Sequence, residues 1–132
     1  MSKENVEIVR AMNNAFHRRD VEGFLAHLDP GIEWWPAADE PVTDVHRGHA
    51  GVRRVVADIL DVVPDLQAEI EELTVVGDRA VICLHYWGRA EPSGVPVEIR
   101  ETHTYAMQDG KVVEVREYRT KAEALEAVGL SG

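Results

Sequence analysis

Apolar residues Val6, Ile8, Val9, Met12 and Phe16 recur at helical spacing behind Ser2, a good capping residue, with Lys3, Glu7 and Arg10 at the positions between them. This pattern predicts a first helix that ends near His17 to Arg19. Asp20 is placed to cap a second, shorter helix carrying Val21, Phe24, Leu25 and Leu28, with Pro30-Gly31 as its stop. Ile32 to Trp35 reads as a brief strand, and the breakers between Pro36 and His46 read as a loop. From about His49, the set Val52, Val55, Val56, Ile59, Leu60 and Val63 repeats as an amphipathic helix that Pro64 terminates.

After Pro64 the apolar period changes to two. Leu66 to Val76, Arg79 to Ala90, Val95 to Met107 and Lys111 to Arg119 read as four strands, joined by turns at Gly77-Asp78, Pro92-Ser93-Gly94 and Asp109-Gly110. Connections this short imply antiparallel neighbours. Thr120 with Glu123 makes a capping box for a last helix through Ala124, Leu125 and Val128, closed by Gly129. Helices early and a strand meander late predict an α+β fold: a curved antiparallel sheet packed by the N-terminal helices, with a conical hollow between the layers. Residues 1–132 show no repeat, low-complexity tract or composition break, so one domain is expected, burying roughly two-thirds of its unfolded surface.

Charge narrows the partners. With 24 acidic against 14 basic residues, a net charge of -10, and Arg18-Arg19 and Arg53-Arg54 as the only basic doublets, no nucleic-acid partner is expected. A single cysteine, Cys83, excludes an intrachain disulfide and fits a reducing, cytoplasmic setting. No apolar leader and no run of membrane-spanning length is present, so no membrane partner is expected either.

The chemistry concentrates between Val97 and Arg119. Residues two apart on a strand share a face, so Val97, Ile99, Glu101, His103 and Tyr105 form one set, and Val113, Val115, Glu117 and Arg119 another. Each set starts apolar and ends with ionisable or hydroxyl-bearing groups. Unpaired charge is costly in a solid core, which points to a face that lines a cavity. Glu101, Glu117 and Arg119 also fit a plain salt bridge closing the mouth of such a cavity. Trp34 and Trp87 fit either flat walls for a ring-bearing ligand or core filling, whereas Trp35 has the opposite parity and belongs outside.

Other features carry less. His46 and His49 near Asp44 lack a third ligand at helical spacing, so no metal site is expected. His17 and His27 lie at helix ends, where a cation is favoured. Cys83, amid Val81, Ile82 and Leu84, reads as a small buried hydrophobe. No Gly-rich phosphate loop or Gly-x-Ser-x-Gly elbow occurs.

Several motifs together resemble the NTF2-like superfamily, in its SnoaL-like and ketosteroid-isomerase-like branch. They are Asn5-Val6-Glu7-Ile8-Val9, Arg19-Asp20-Val21-Glu22, Asp29-Pro30-Gly31-Ile32-Glu33-Trp34, Arg47-Gly48 and Asp109-Gly110-Lys111-Val112-Val113. The resemblance spans nearly the whole chain and implies the cone-shaped, cystatin-like α+β barrel. It covers isomerases, dehydratases, epoxide hydrolases, polyketide cyclases and adaptors. The steroid isomerases' own residues do not carry over: Trp34 stands where their general base lies, Met12 near their helix-borne tyrosine and Ile99 near their protonated aspartate. Steroid isomerisation is therefore not expected.

The resemblance implies a strand register in which Trp34, Val81, Cys83, His85, Trp87, Ile99, Glu101, His103, Val115, Glu117 and Arg119 face the hollow. His85 and His103 would then share one cavity, an arrangement similar to the scytalone dehydratase branch and suited to acid-base work near neutral pH. Glu101, Glu117 and Arg119 are similar to the limonene epoxide hydrolase type of site. The expected protein is a small-molecule pocket protein, acting without a cofactor as an isomerase, dehydratase or cyclase on a largely apolar or aromatic substrate. His103 and His85 would move the proton, Glu101 or Glu117 would orient it, and Arg119 would anchor negative charge. Trp34, Trp87, Met12, Phe16, Cys83, Ile99 and Val115 would bind substrate. The alternatives are an epoxide-hydrolase-like enzyme, a non-catalytic binding protein, and a dimeric interaction module. A homodimer through the sheet, around Leu84, Tyr86 and Tyr118, fits any of these.

Overall fold

The computed structural model describes residues 2–37 and 44–129. Its elements run α1 (Ser2–His17), α2 (Val21–Leu25), β1 (Leu28–Trp35), β2 (His46–Arg47), α3 (Gly48–Val62), β3 (Gln67–Val76), β4 (Arg79–Arg89), β5 (Pro96–Gln108), β6 (Lys111–Tyr118) and α4 (Lys121–Ala127). The caps anticipated at Asp20 and Thr120 are present, the Asp20 carboxylate accepting from Gly23 N and the Thr120 hydroxyl from Glu123 N, whereas Ser2 is itself the first residue of α1. The Asp109-Gly110 hairpin has positive φ at both central residues, 53° and 76°, as a two-residue turn of right-handed twist requires.

One six-stranded sheet, curved and unclosed, carries the strands in the order β2-β1-β6-β5-β4-β3. The architecture is α+β as expected, although the sheet stays open rather than closing into a barrel. β3 to β6 form the antiparallel meander, and β1 joins its far side parallel to β6. β1 is longer than the brief strand expected, because the chain passes through Pro30-Gly31 with an irregularity between Leu28 and Glu33 and keeps pairing. Part of the expected loop becomes the short strand β2, paired through Glu33 with Arg47 and Trp34 with His46; its residues 38–43 lie outside the described residues.

The core sits between the sheet and the helices, with Met12, Leu25, Leu28, Ile32, Val52, Ile82, Val112 and Val115 almost fully enclosed. A bulge between Ile70 and Glu72 on β3 keeps Ile70, Leu73 and Val75 on the core side although the first two stand three residues apart. β3 is an edge strand, and polar side chains of α1 and the turn after it cover the strand and its two ends. Asn5 donates to Gly77 O, Asn13 to Ala68 O, and the Arg19 guanidinium to Pro64 O and Leu66 O, while His17 bridges Gln67 and Ala68 O.

The register corrects one expectation. β4 pairs Ile82 with His103, Leu84 with Glu101 and Tyr86 with Ile99. Directly paired residues share a face, so Ala80, Ile82, Leu84 and Tyr86 point to the core, and Val81, Cys83, His85 and Trp87 point to the outer face. Leu84 is buried and Tyr86 packs against the core, so neither offers an apolar patch for face-to-face dimer contact. α4 lies against β4, β5 and β6 on the side of Cys83, where Lys121 ion-pairs with Glu72 at 2.8 Å. Val81, Thr102 and Thr104 are buried on that outer face.

Candidate functional site

The helix-facing side of β5 descends from solvent into the core: Ile99 is 48 % exposed, the Glu101 side chain 23 %, and the His103 side chain 2 %. β6 runs the other way, so Glu117 pairs with His103 and the enclosed Val115 pairs with Tyr105. β1, parallel to β6, sets Trp34 beside Val115. These three strands bring Trp34, Glu101, His103 and Glu117 together from widely separated parts of the chain.

The contacts are specific. His103 Nε2 lies 2.9 Å from Glu101 Oε1, and the Trp34 indole N–H donates to Glu117 Oε2 at 2.7 Å. One ligating atom from each of Glu101, His103 and Glu117 lies within 4.8 Å of the other two, a donor set that could surround a divalent cation, and the Glu101–His103 pair at 2.9 Å is within reach for sharing a proton. His103 Nδ1 is buried with no hydrogen-bond partner among the described residues.

Aromatic rings enclose the imidazole. Trp34 meets it edge-on with ring centres 5.9 Å apart, Tyr86 lies tilted at 6.4 Å, and Phe24 backs Trp34 at 6.3 Å. Burial first, and then the carboxylates of Glu101 and Glu117 together with Tyr105, push the Tyr86 phenol well above its ordinary range. Tyr105 moves the same way, through burial and then Glu117. Both therefore stay protonated near neutral pH.

Of the other residues expected at the site, Val115 forms its floor, Ile99 lies at its open rim, and Arg119 follows β6 in an exposed position, engaged with another group. Met12 is enclosed in the core. Phe16 lines a separate small hollow with Val21, Phe24, Val56 and Leu60, the Arg19 guanidinium 5.2 Å from its ring. His85, Cys83 and Trp87 stand on the outer face. His85 Nε2 lies 2.6 Å from Glu98 Oε2, and the rings of His85 and Trp87 are 4.9 Å apart. The expected pairing of two imidazoles in one cavity is thus overturned, because the sheet separates them. Trp35 is outside as expected, with Arg116 stacked 4.6 Å over its ring. His49 Nε2 is spent on Leu28 O at 2.8 Å. Glu69, Glu71 and His85 form a second group of possible metal donors on the outer face. Tyr86 and Phe24 are the site neighbours that the sequence reading missed; the alternation Ile82, Leu84, Tyr86 was the available signal.

Residues 9–115 match the family model described as the SnoaL-like domain. The chain belongs to the SnoaL-like family. No curated protein matches it. Among solved structures, an NTF2-like protein of unknown function from Burkholderia pseudomallei is 23 % identical with a TM-score of 0.79, the match covering 93 % of this chain and 95 % of that one. A putative SnoaL-like polyketide cyclase from Jannaschia is 20 % identical at a TM-score of 0.79, covering 99 % and 94 %. A putative hydroxylase, AclR, from Streptomyces galilaeus is 23 % identical at 0.77, covering 98 % of both. At these identities the SnoaL-like chain shares its fold with them.

Proposed function

We propose that this SnoaL-like chain binds a small, largely apolar ring molecule on its helix-facing sheet surface and catalyses proton transfer on it without a cofactor. Isomerisation, dehydration and cyclisation are the reaction types that need this. The observation that carries the proposal is the convergence of Glu101, His103 and Glu117 within 4.8 Å at the end of an aromatic-walled face.

Position divides the roles. Glu101 is the partly exposed member and meets the substrate; His103, behind it and joined through Nε2, accepts or returns the proton. Glu117, held by the Trp34 N–H, orients the reacting group. Tyr86, kept as the phenol, is able to donate to a substrate oxygen. His85 has no part, since it faces away. Likeness to a structure described as a putative SnoaL-like polyketide cyclase supports ring-bearing substrates.

The test is proton exchange in D2O, followed by NMR across a panel of enolisable ring ketones, terpenoids and polyketide-like compounds. Exchange or conversion by the wild type, lost in folded His103→Gln and Glu101→Gln, is the expected result. Binding without exchange in the wild type would leave a ligand-binding protein and remove the catalytic role.

A further inference from the structure

α1 carries two stripes. Val9 and Met12 are buried in the core, and beside them Arg10, Asn13, Asn14 and His17, three and four residues apart, form a polar stripe along the edge of the sheet. Between this stripe, Glu69 and Ile70 of β3, and the ring of Trp87 lies a hollow of about 300 Å³, the low end of the roughly 300–1,000 Å³ that small-molecule sites occupy. It shares no lining residue with the Glu101–His103 site. The helix wall is held in place, since the His17 ring is tied to Gln67 and Ala68 O and the Asn13 amide donates to Ala68 O. Arg10 makes no hydrogen bond or ion pair among the described residues, so its five N–H donors stay available, as does the Asn14 amide. Glu69 supplies the opposite charge from the strand wall. Arg100 acts on it through charge alone, because that guanidinium is hydrogen-bonded to Glu71 at 3.1 Å. The Trp87 ring rests on His85 at 4.9 Å and the residue is 38 % exposed, which leaves a flat apolar surface fixed and open.

A ligand of a single charge would leave either Arg10 or Glu69 facing its own sign, whereas a zwitterion matches both. We infer that this hollow is a second binding site, and that it takes a free aromatic amino acid. The ligand carboxylate accepts from Arg10 and Asn14, its ammonium donates to Glu69, and its ring lies against Trp87 and Ile70. The volume suits a single ring. Removing either ligand charge strands one protein charge, the kind of mismatch that costs about tenfold or more in binding.

The test compares three probes by calorimetry on the full chain: L-phenylalanine, L-phenylalaninamide, which lacks the carboxylate, and N-acetyl-L-phenylalanine, which lacks the ammonium. Phenylalanine should bind about tenfold tighter than either of the others. Arg10→Gln, shown folded by circular dichroism, should remove the preference over the amide, and folded Glu69→Gln the preference over the acetyl compound. Phenylalanine should also change the tryptophan emission of the wild type, and Trp87→Phe should bind it with that change lost. Equal binding of the amide or the acetyl compound overturns the inference. So does a preference that survives in the matching variant, an emission change that persists in Trp87→Phe, or the absence of phenylalanine binding.

Discussion

The Trp34 indole N–H donates to Glu117 Oε2 at 2.7 Å across the parallel pairing of β1 and β6. One strand thereby fixes a carboxylate that another strand supplies, and the same indole meets the His103 ring edge-on. Trp34→Phe keeps a ring against Phe24 and His103 but removes the donor. A hydrogen bond to a charged group contributes about 2 kcal/mol, so urea denaturation should show a loss of that order. Ligand affinity should fall with it.

Gly88 sits where β4 passes the α3–β3 connection. A Cβ there would lie 2.7 Å from Val63 Cγ1, 2.9 Å from Asp65 Oδ1 and 3.2 Å from the Leu66 Cα. The Asp65 carboxylate is fixed, since Oδ1 accepts from Arg89 N at 2.8 Å. Gly88→Ala should therefore destabilise by about 1–3 kcal/mol, the usual cost of overpacking, read as a lower urea midpoint.

Asp20 ends the turn after α1 and starts α2, its side chain accepting from Gly23 N at 2.9 Å. Asp20→Ala should cost about 1 kcal/mol. Gly23→Ala should act on the same cap, because its Cβ would fall 2.2 Å from Asp20 Oδ2. The double variant should lose less than the sum of the two single losses, which thermal or urea melts of all three measure.

Burial first, and then the Lys111 ammonium, lower the His27 pKa below its ordinary 6.5. The unfolded chain then takes up a proton at a pH where the native imidazole does not. This group's contribution to stability is therefore present above about pH 6.5 and is lost as pH falls through that value towards the lowered native one. Urea melts at about pH 7.5 and pH 5.5 should show a smaller drop for His27→Gln than for the wild type.

The helices and the four-strand meander were legible because their apolar periods are clean and their caps are chemically distinct. The parity of β5 was legible too, since Glu101 and His103 alternate against Arg100 and Thr102, and only one register puts the imidazole inside. β4 offered no such contrast. Val81 and Cys83 are as apolar as Ile82 and Leu84, because α4 covers the outer face where solvent would otherwise demand polar residues. With both faces apolar, alternation says nothing about which one meets the helices, and the family likeness supplied the wrong parity. That single inversion put His85, Cys83 and Trp87 in the hollow and left Tyr86 out. The Trp34–Glu117 bond was also hidden, since it depends on a parallel pairing between residues 83 positions apart.

The separation of His103 and His85 by the sheet gives the most direct test of the account. Thermal shift with a library of aromatic, terpenoid and polyketide-like compounds should be run on wild type, His103→Gln and His85→Ala at about pH 6 and pH 8, because binding to the folded state must raise the melting temperature. Compounds are expected that stabilise the wild type and His85→Ala equally and no longer stabilise folded His103→Gln. Stabilisation that survives in His103→Gln and disappears in His85→Ala would place the site on the outer face and contradict it.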